Sequence, residues 1–480
     1  MFQCTLFKCD LKTPYSGART WLWAQLLLLL MCGGCATLPN LDTRPASREA
    51  ARALRAMSAM PRIDGARGPL SAQQAKVIMD RLRNEASTNF LDLHVAVEES
   101  MVGSPLTAGN RVKLLHDGPA TYQAMIAAIT AARQHINMET YIFDDDEVGQ
   151  RFVAALIAKQ REGVQVTVIR DSVGTLSTPT EFFTEMTAAG IKVLEFNPVN
   201  PLTSKAGWSL NQRDHRKLLI VDGRIAFMGG INISSVYSSG SFRRAKLKPD
   251  TLPWRDTDVQ VEGPVVLELQ KLFLETWTQQ QGEALATDTW FPQAQTLGRE
   301  VVRAVGSSPE DPYSFIYATL ISAFRSAQSH IWLTNAYFVP DPQLVEALEQ
   351  ATARGVDVRL ILPSRTDSWL VLQASRAHYT RLLKAGVRIY LRRDALLHVK
   401  TALVDGVWST VGSTNLDWRS FLHNQELNVI VLGDDFGNQM REAFLKDAAQ
   451  SDEITLKSWR TRPVSARFSE LFGRIWQYWL

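Results

Sequence analysis

Two stretches of this chain place an imidazole and an ammonium group one residue apart, a pairing suited to chemistry at a phosphodiester. The first runs Asp214-His215-Arg216-Lys217, continues through Leu218, Leu219, Ile220 and Val221 to Asp222, and ends at Gly229-Gly230-Ile231-Asn232. The second has His398-Val399-Lys400, then Asp405, then Gly412-Ser413-Thr414-Asn415. Both read His-x-Lys-x4-Asp-x6-Gly-[Gly/Ser]-x-Asn, so His and Asn are 17 residues apart in each. One such match is weak, whereas two with the same tail are a strong signal. The β-formers between Lys and Asp predict strand, turn, strand, and on an extended segment residues i and i+2 share a face. His215 and Lys217 therefore project together, as do His398 and Lys400.

Transfer at a phosphodiester needs a nucleophile, an acid for the leaving oxygen and positive charge on the non-bridging oxygens. Each motif supplies half of this, so a pseudo-twofold axis is expected to bring His215 and His398 to opposite sides of one phosphate. One imidazole attacks; the other protonates the leaving alcohol and later takes a proton from the acceptor. Lys217, Lys400, Asn232 and Asn415 would bind the phosphate oxygens, with the small Gly229, Gly230, Gly412 and Ser413 letting backbone N–H groups approach. Each histidine also needs an orienting acid on its other ring nitrogen. Glu426 is the candidate for His398, and Asp256, at the similar place after the first motif, for His215; the bland alternative is that these acids pair with surface arginines. The chemistry requires no metal or cofactor. His94, His116, His135, His330, His378 and His423 lack metal-ligand spacing and read as structural.

Around the motifs the chain alternates β-runs with amphipathic helices, the pattern of an α/β fold with a central sheet. Strands are predicted at 112–115, 136–143, 164–170 and 191–196, and helices at 122–133, 148–160 and 181–189. The second half repeats the order: Tyr141 answers Tyr337 at an offset of 196 residues, Gly163 answers Gly355 at 192, Gly190 answers Gly386 at 196, and His215 answers His398 at 183. The final drop places an extra loop in the first half between Asn197 and Gln212. Two similar lobes follow, 111–285 and 286–480, joined around 279–295, with one active site shared between them. Ahead of them, residues 36–110 show no strand pattern and read as a tether followed by a helix over 75–91, starting near Ser71.

Hydrophobic residues at 45% and charged residues at 21% exclude a disordered chain, and a net charge of +3 gives no global field of a nucleic-acid binder. All four cysteines lie in the first 35 residues, so no disulfide framework is possible beyond them. There Lys8, Lys12 and Arg19 precede the apolar run 26–30 and Met31-Cys32-Gly33-Gly34-Cys35-Ala36, the order of a secretory signal. Gly34-Cys35 resembles a bacterial lipoprotein cleavage site, which would leave Cys35 lipidated on a periplasm-facing protein. A plain membrane anchor and a displaced start codon are the competing readings.

At these motifs the sequence resembles the phospholipase D superfamily, and within it the bacterial cardiolipin synthases, the B-type above all, over about residues 110–480. Glu139-Thr140-Tyr141-Ile142-Phe143, Gly229-Gly230-Ile231-Asn232, Val411-Gly412-Ser413-Thr414-Asn415-Leu416-Asp417 and Asn424-Gln425-Glu426 carry the likeness. It implies two phospholipase D-like α/β lobes and a metal-independent phosphatidyl transfer through a phosphohistidine. It also implies His215 as nucleophile, His398 as acid and base, and Asp222 and Asp405 in a supporting role. Many relatives carry Met where this chain has Asp214, which adds a carboxylate near the site. The expected substrates are membrane phospholipids, phosphatidylglycerol or similar, at a bacterial membrane surface. Hydrolysis or another alcohol acceptor is the alternative, and a nuclease is disfavoured. Three features favour lipid: the basic-aromatic loop 241–254, a C-terminal segment 467–480 that reads as an amphipathic helix, facing either the membrane or its own core, and the N-terminal anchor, whose lipid would hold the enzyme at its substrate.

Overall fold

The computed structural model describes residues 38, 61–86, 88–200, 208–209, 211–238 and 252–480. Cys35 and the signal-like segment, most of the tether, and the loop expected at 241–254, except its last three residues, lie outside the described residues.

The predicted repeat is a repeat of strand order. In the first half, β3 (Leu106–Leu115), β4 (His135–Thr140), β5 (Gln165–Asp171), β6 (Lys192–Phe196), β8 (Leu218–Val221), β9 (Ile225–Gly229) and β11 (Asp258–Glu262) pair in the order β6-β5-β4-β8-β9-β11-β3. In the second half, β12 (Glu300–Ser307), β13 (His330–Asn335), β14 (Asp357–Pro363), β15 (Arg388–Arg392), β17 (Lys400–Val404), β18 (Trp408–Gly412) and β19 (Asn424–Leu432) give the same order, β15-β14-β13-β17-β18-β19-β12. The β4, β5 and β6 strands are parallel and linked by helices 147–161 and 180–188, while the motif hairpins add antiparallel strands. The glycines that mark the repeat stop the helices: Gly163, Gly190, Gly355 and Gly386 all have φ between 88° and 97°, the left-handed conformation that closes a helix C-terminus.

Residue 111 is not a boundary between regions. Leu106–Leu115 is one strand whose C-terminal half pairs with β11 and whose N-terminal half pairs with β12, so it fuses the two half-sheets. Its start escapes a period-2 reading because Gly109 sits at φ 94° and the β3/β12 register shifts at Glu300/Val301. A short hairpin, β1 (Ile63–Gly65) and β2 (Gly68–Pro69), extends the sheet beyond it. The expected helix over 75–91 is two helices, 72–85 and 90–101. The first begins at the expected Ser71, which forms a capping box with Gln74. The second is fixed to the second half by buried charge: Glu98 forms an ion pair with Arg303, Oε1 to Nε 2.8 Å, and lies 2.8 Å from His94 Nε2. Burial would raise the Glu98 pKa, but Arg303 and His94 outweigh it and hold it low. One continuous core, including Val112, Val259 and Leu269 from one half and Val302, Val429 and Phe436 from the other, runs through the seam.

Candidate active site

Each motif enters the site across the seam. A two-residue strand before the first histidine, β7 (Arg213–Asp214), pairs in parallel with Asn424 and Gln425 of β19, and the His215 N–H donates to Gln425 O at 3.0 Å. Its counterpart before the second, β16 (Leu396–Leu397), pairs with β10 (Trp254–Arg255), and the His398 N–H donates to Arg255 O at 2.8 Å. The residue after Gln425 is Glu426 and the residue after Arg255 is Asp256. Crossing therefore sets each histidine against the acid of the opposite half. His215 Nδ1 is 3.1 Å from both oxygens of Glu426, and His398 Nδ1 is 2.6 Å from Asp256 Oδ2. This corrects the predicted pairing, which joined each acid to the histidine of its own repeat. With Nδ1 directed at a carboxylate, Nε2 is the nitrogen left for substrate.

The small residues of the motif tails hold these acids. A Cβ on Gly230 would lie 2.4 Å from both Asp256 oxygens, so the carboxylate occupies the space that glycine leaves. Ser413 Oγ donates to Glu426 Oε2 at 2.5 Å. Their backbone N–H groups are already used, Gly230 to Thr257 O and Ser413 to Leu427 O. The expectation that they receive the phosphate is corrected accordingly. Asn232 accepts from Ile142 N at 3.0 Å and donates to Tyr237 Oη at 2.9 Å, which in turn lies 3.4 Å from His398 Nδ1. Asn415 is buried, and its Oδ1 has no partner among the described residues.

Lys217 Nζ donates to His215 O at 2.5 Å, and Lys400 Nζ donates to His398 O in the same way. Both lysines are buried, and burial brings Lys217 down to about 7 and Lys400 to about 8 against the pull of Glu426 and Asp256. Burial and then Lys217 lower His215 to about 4. His398 is lowered by burial and Lys400, with Asp256 acting the other way. Burial works to raise Glu426, yet His215, Lys217 and Ser413 hold it at about 2. His215, brought to about 4, is accordingly neutral near pH 7 in the free protein, and the carboxylate beside each ring stabilises positive charge there once an anion binds.

Comparison with known proteins agrees with this geometry. A family profile described as "Cardiolipin synthase, PLD-like domain" matches residues 125–240 and 320–448, which contain both motifs. The chain belongs to this cardiolipin synthase, PLD-like family. It is 32% identical over 418 residues to "Cardiolipin synthase 1" of Bacillus cereus, covering 85% of this chain and 79% of that protein. It is 36% identical over 382 residues to "Cardiolipin synthase A" of Pseudomonas putida, covering 77% and 76%. These relatives carry the names 1 and A rather than the B-type. The fold matches the crystal structure of phosphatidylserine synthase from Haemophilus influenzae Rd KW20 at a TM-score of 0.60 and 14% identity, over 81% of this chain and 100% of that one.

Within this cardiolipin synthase-like fold, Asp222 and Asp405 stand apart from the reacting groups. Each occupies the hairpin turn at the far end of its motif strand, about 16 Å along the chain from the motif lysine, with φ of 54° and 50°. The Asp222 carboxylate accepts from the N–H groups of Arg133, Gln134 and His135. That of Asp405 accepts from Gln328, Ser329 and His330. Both pin the start of the neighbouring parallel strand. Asp214 also faces inward: it accepts from Arg216 N, and burial followed by Glu139 raises its pKa well above the ordinary carboxylate range.

Sequence reasoning missed the aromatic walls and one arginine. Tyr141 meets His215 edge-on at 5.1 Å, and Trp254 lies 5.0 Å from His398. Arg216, between His215 and Lys217, turns to the opposite side and ties Glu426 O to Thr276 Oγ1. Period-2 reasoning puts Arg216 on the face away from its neighbours, but its partners, Thr276 of its own half and Glu426 of the other, lie 60 and 210 residues away.

Proposed function

We propose that this chain is a phosphatidyltransferase of phospholipase D type that makes cardiolipin, transferring a phosphatidyl group to phosphatidylglycerol. The observation that supports it best is the crossed constellation of two histidine–carboxylate pairs flanked by two buried lysines in a family of cardiolipin synthases. His215 Nε2 bonds to phosphorus while the bond to the headgroup oxygen breaks, and His398 gives its proton to that oxygen. The acceptor hydroxyl then returns a proton to His398, its oxygen bonds to phosphorus, and the P–N bond breaks. The shorter hydrogen bond, 2.6 Å from Asp256, sits on His398, the ring that must carry the positive charge, which favours this order of roles. Lys217 and Lys400 meet the charge on the non-bridging oxygens, with Asn232 and Asn415 beside them.

The reaction belongs at a bacterial membrane surface, with phospholipid rather than nucleic acid as substrate, and a lipid on Cys35 holding the enzyme there. Among the described residues no helix is long and apolar enough to cross a membrane. Expression in cells lacking their own cardiolipin synthases should restore cardiolipin in lipid extracts; extracts without it contradict the proposed product. Mass spectrometry of the mature N-terminus should find a lipidated Cys35, and an unmodified residue upstream of it removes the anchor.

A further inference from the structure

The last helix of the chain is mounted inside out. Val464–Trp476 packs along helix 369–385, yet its buried residues are Glu470 and Gly473. A Cβ on Gly473 would lie 2.5 Å from Ala374 N, so glycine allows the two helices to meet closely there. Glu470 is neutralised inside by a two-pronged ion pair with Arg462, at 2.7 and 2.6 Å. The apolar stripe faces outward: Val464, Phe468, Leu471, Phe472, Ile475 and Trp479 are all exposed, Phe468 by 69% and Ile475 by 68%. Trp369, 55% exposed, extends the patch, its ring 6.4 Å from that of Phe472. An amphipathic helix of a water-soluble core buries this stripe, and a contiguous exposed apolar patch marks a contact surface.

We propose that this face docks on an anionic phospholipid bilayer and holds the mouth of the active site at headgroup level. The proposal rests on the phospholipid-transfer reading and names the surface it uses. Two observations select a bilayer as occupant. First, from Leu456 to the C-terminus the exposed charges are Lys457, Arg460, Arg467 and Arg474, while the segment's one acid, Glu470, is buried with Arg462. An apolar stripe flanked by cations complements the headgroup boundary of an anionic leaflet. Second, the patch is continuous with the site. Tyr478 packs on Trp418 at 5.4 Å, Arg419 N donates to Leu480 O, and Leu480 packs in the cluster containing Tyr337, whose ring meets His398 edge-on at 6.4 Å. The opposite half carries a matching apolar tip: Leu176, 71% exposed, sits in a turn whose Gly174 packs against the backbone of Tyr141, the neighbour of His215.

The full-length protein is incubated with vesicles of phosphatidylglycerol containing a photoactivatable analogue, and cross-links are mapped by mass spectrometry. Cross-links within 464–480 are expected. In a second arm, Phe468→Ser with Ile475→Ser should lower turnover on vesicles by about tenfold or more, given the apolar surface withdrawn from the interface. Turnover of monomeric short-chain phosphatidylglycerol and the thermal midpoint should stay unchanged. Cross-links confined to residues 1–38, or a variant that changes only the oligomeric state, overturn the proposal by assigning the patch to an anchor-distal role or to a second copy. Because cross-linking reads contact and not turnover, a wild type inactive on every phospholipid contradicts the transfer reading and leaves the docking result to stand or fall by itself.

Discussion

Lys217 and Lys400, brought down to about 7 and about 8, determine how the site responds to alkali. Deprotonation removes positive charge as pH rises, so kcat/KM, which reports the free enzyme, should fall above about pH 7 to 8. A bound phosphodiester anion raises both lysines, and kcat should hold to higher pH. Identical alkaline limbs in the two profiles would contradict this. Either His→Ala should abolish turnover, and Lys217→Ala should cost on the order of a hundredfold in kcat, about 3 kcal/mol, typical of removing a donor aimed at developing charge. Gly230→Ala should reduce turnover with little change in unfolding temperature, because its methyl group displaces Asp256 from beside His398. The histidines, lysines and motif tails were legible because they recur as a set. The partner of each acid was not: it is decided by two-residue crossing strands, too short to leave a periodicity, so sequence order paired Asp256 and Glu426 with the wrong rings.

At the scale of the elements, Asp222 and Asp405 act as clamps on the start of β4 and β13. Asp405→Ala leaves three backbone N–H groups without their carboxylate and should lower stability by about 2–4 kcal/mol, read as a lower thermal midpoint, while the protein still folded retains its kcat. Asp405→Asn should cost less, since asparagine tolerates positive φ. Glu98 gives a second test. Its pKa is held below the ordinary 4.5, so its contribution is present above that value and lost as pH falls through the folded pKa. Arg303→Met should destabilise by roughly 3–5 kcal/mol, as expected when a buried charge loses its partner, and should detach helix 90–101, seen as faster hydrogen exchange there. Most strands and helices of the two halves were readable from alternation and helical spacing. The N-terminal half of β3 was not, because Gly109 and the shifted register interrupt the period of two, and helix 90–101 was obscured because its buried face includes His94 and Glu98.

For the whole molecule, the shared β3, the continuous core and the crossed strands make the two halves one folded unit. Neither 111–285 nor 286–480 should turn over alone, since each lacks the acid its histidine uses. The most direct test of the crossed assignment is a rapid-quench experiment with a phosphatidyl substrate whose p-nitrophenol leaving group needs no protonation, comparing Asp256→Asn with Glu426→Gln. The account predicts that Asp256→Asn still releases a burst of p-nitrophenol and accumulates phosphohistidine at His215, while Glu426→Gln loses the burst. A burst that survives Glu426→Gln and vanishes in Asp256→Asn, with label on His398, would contradict it.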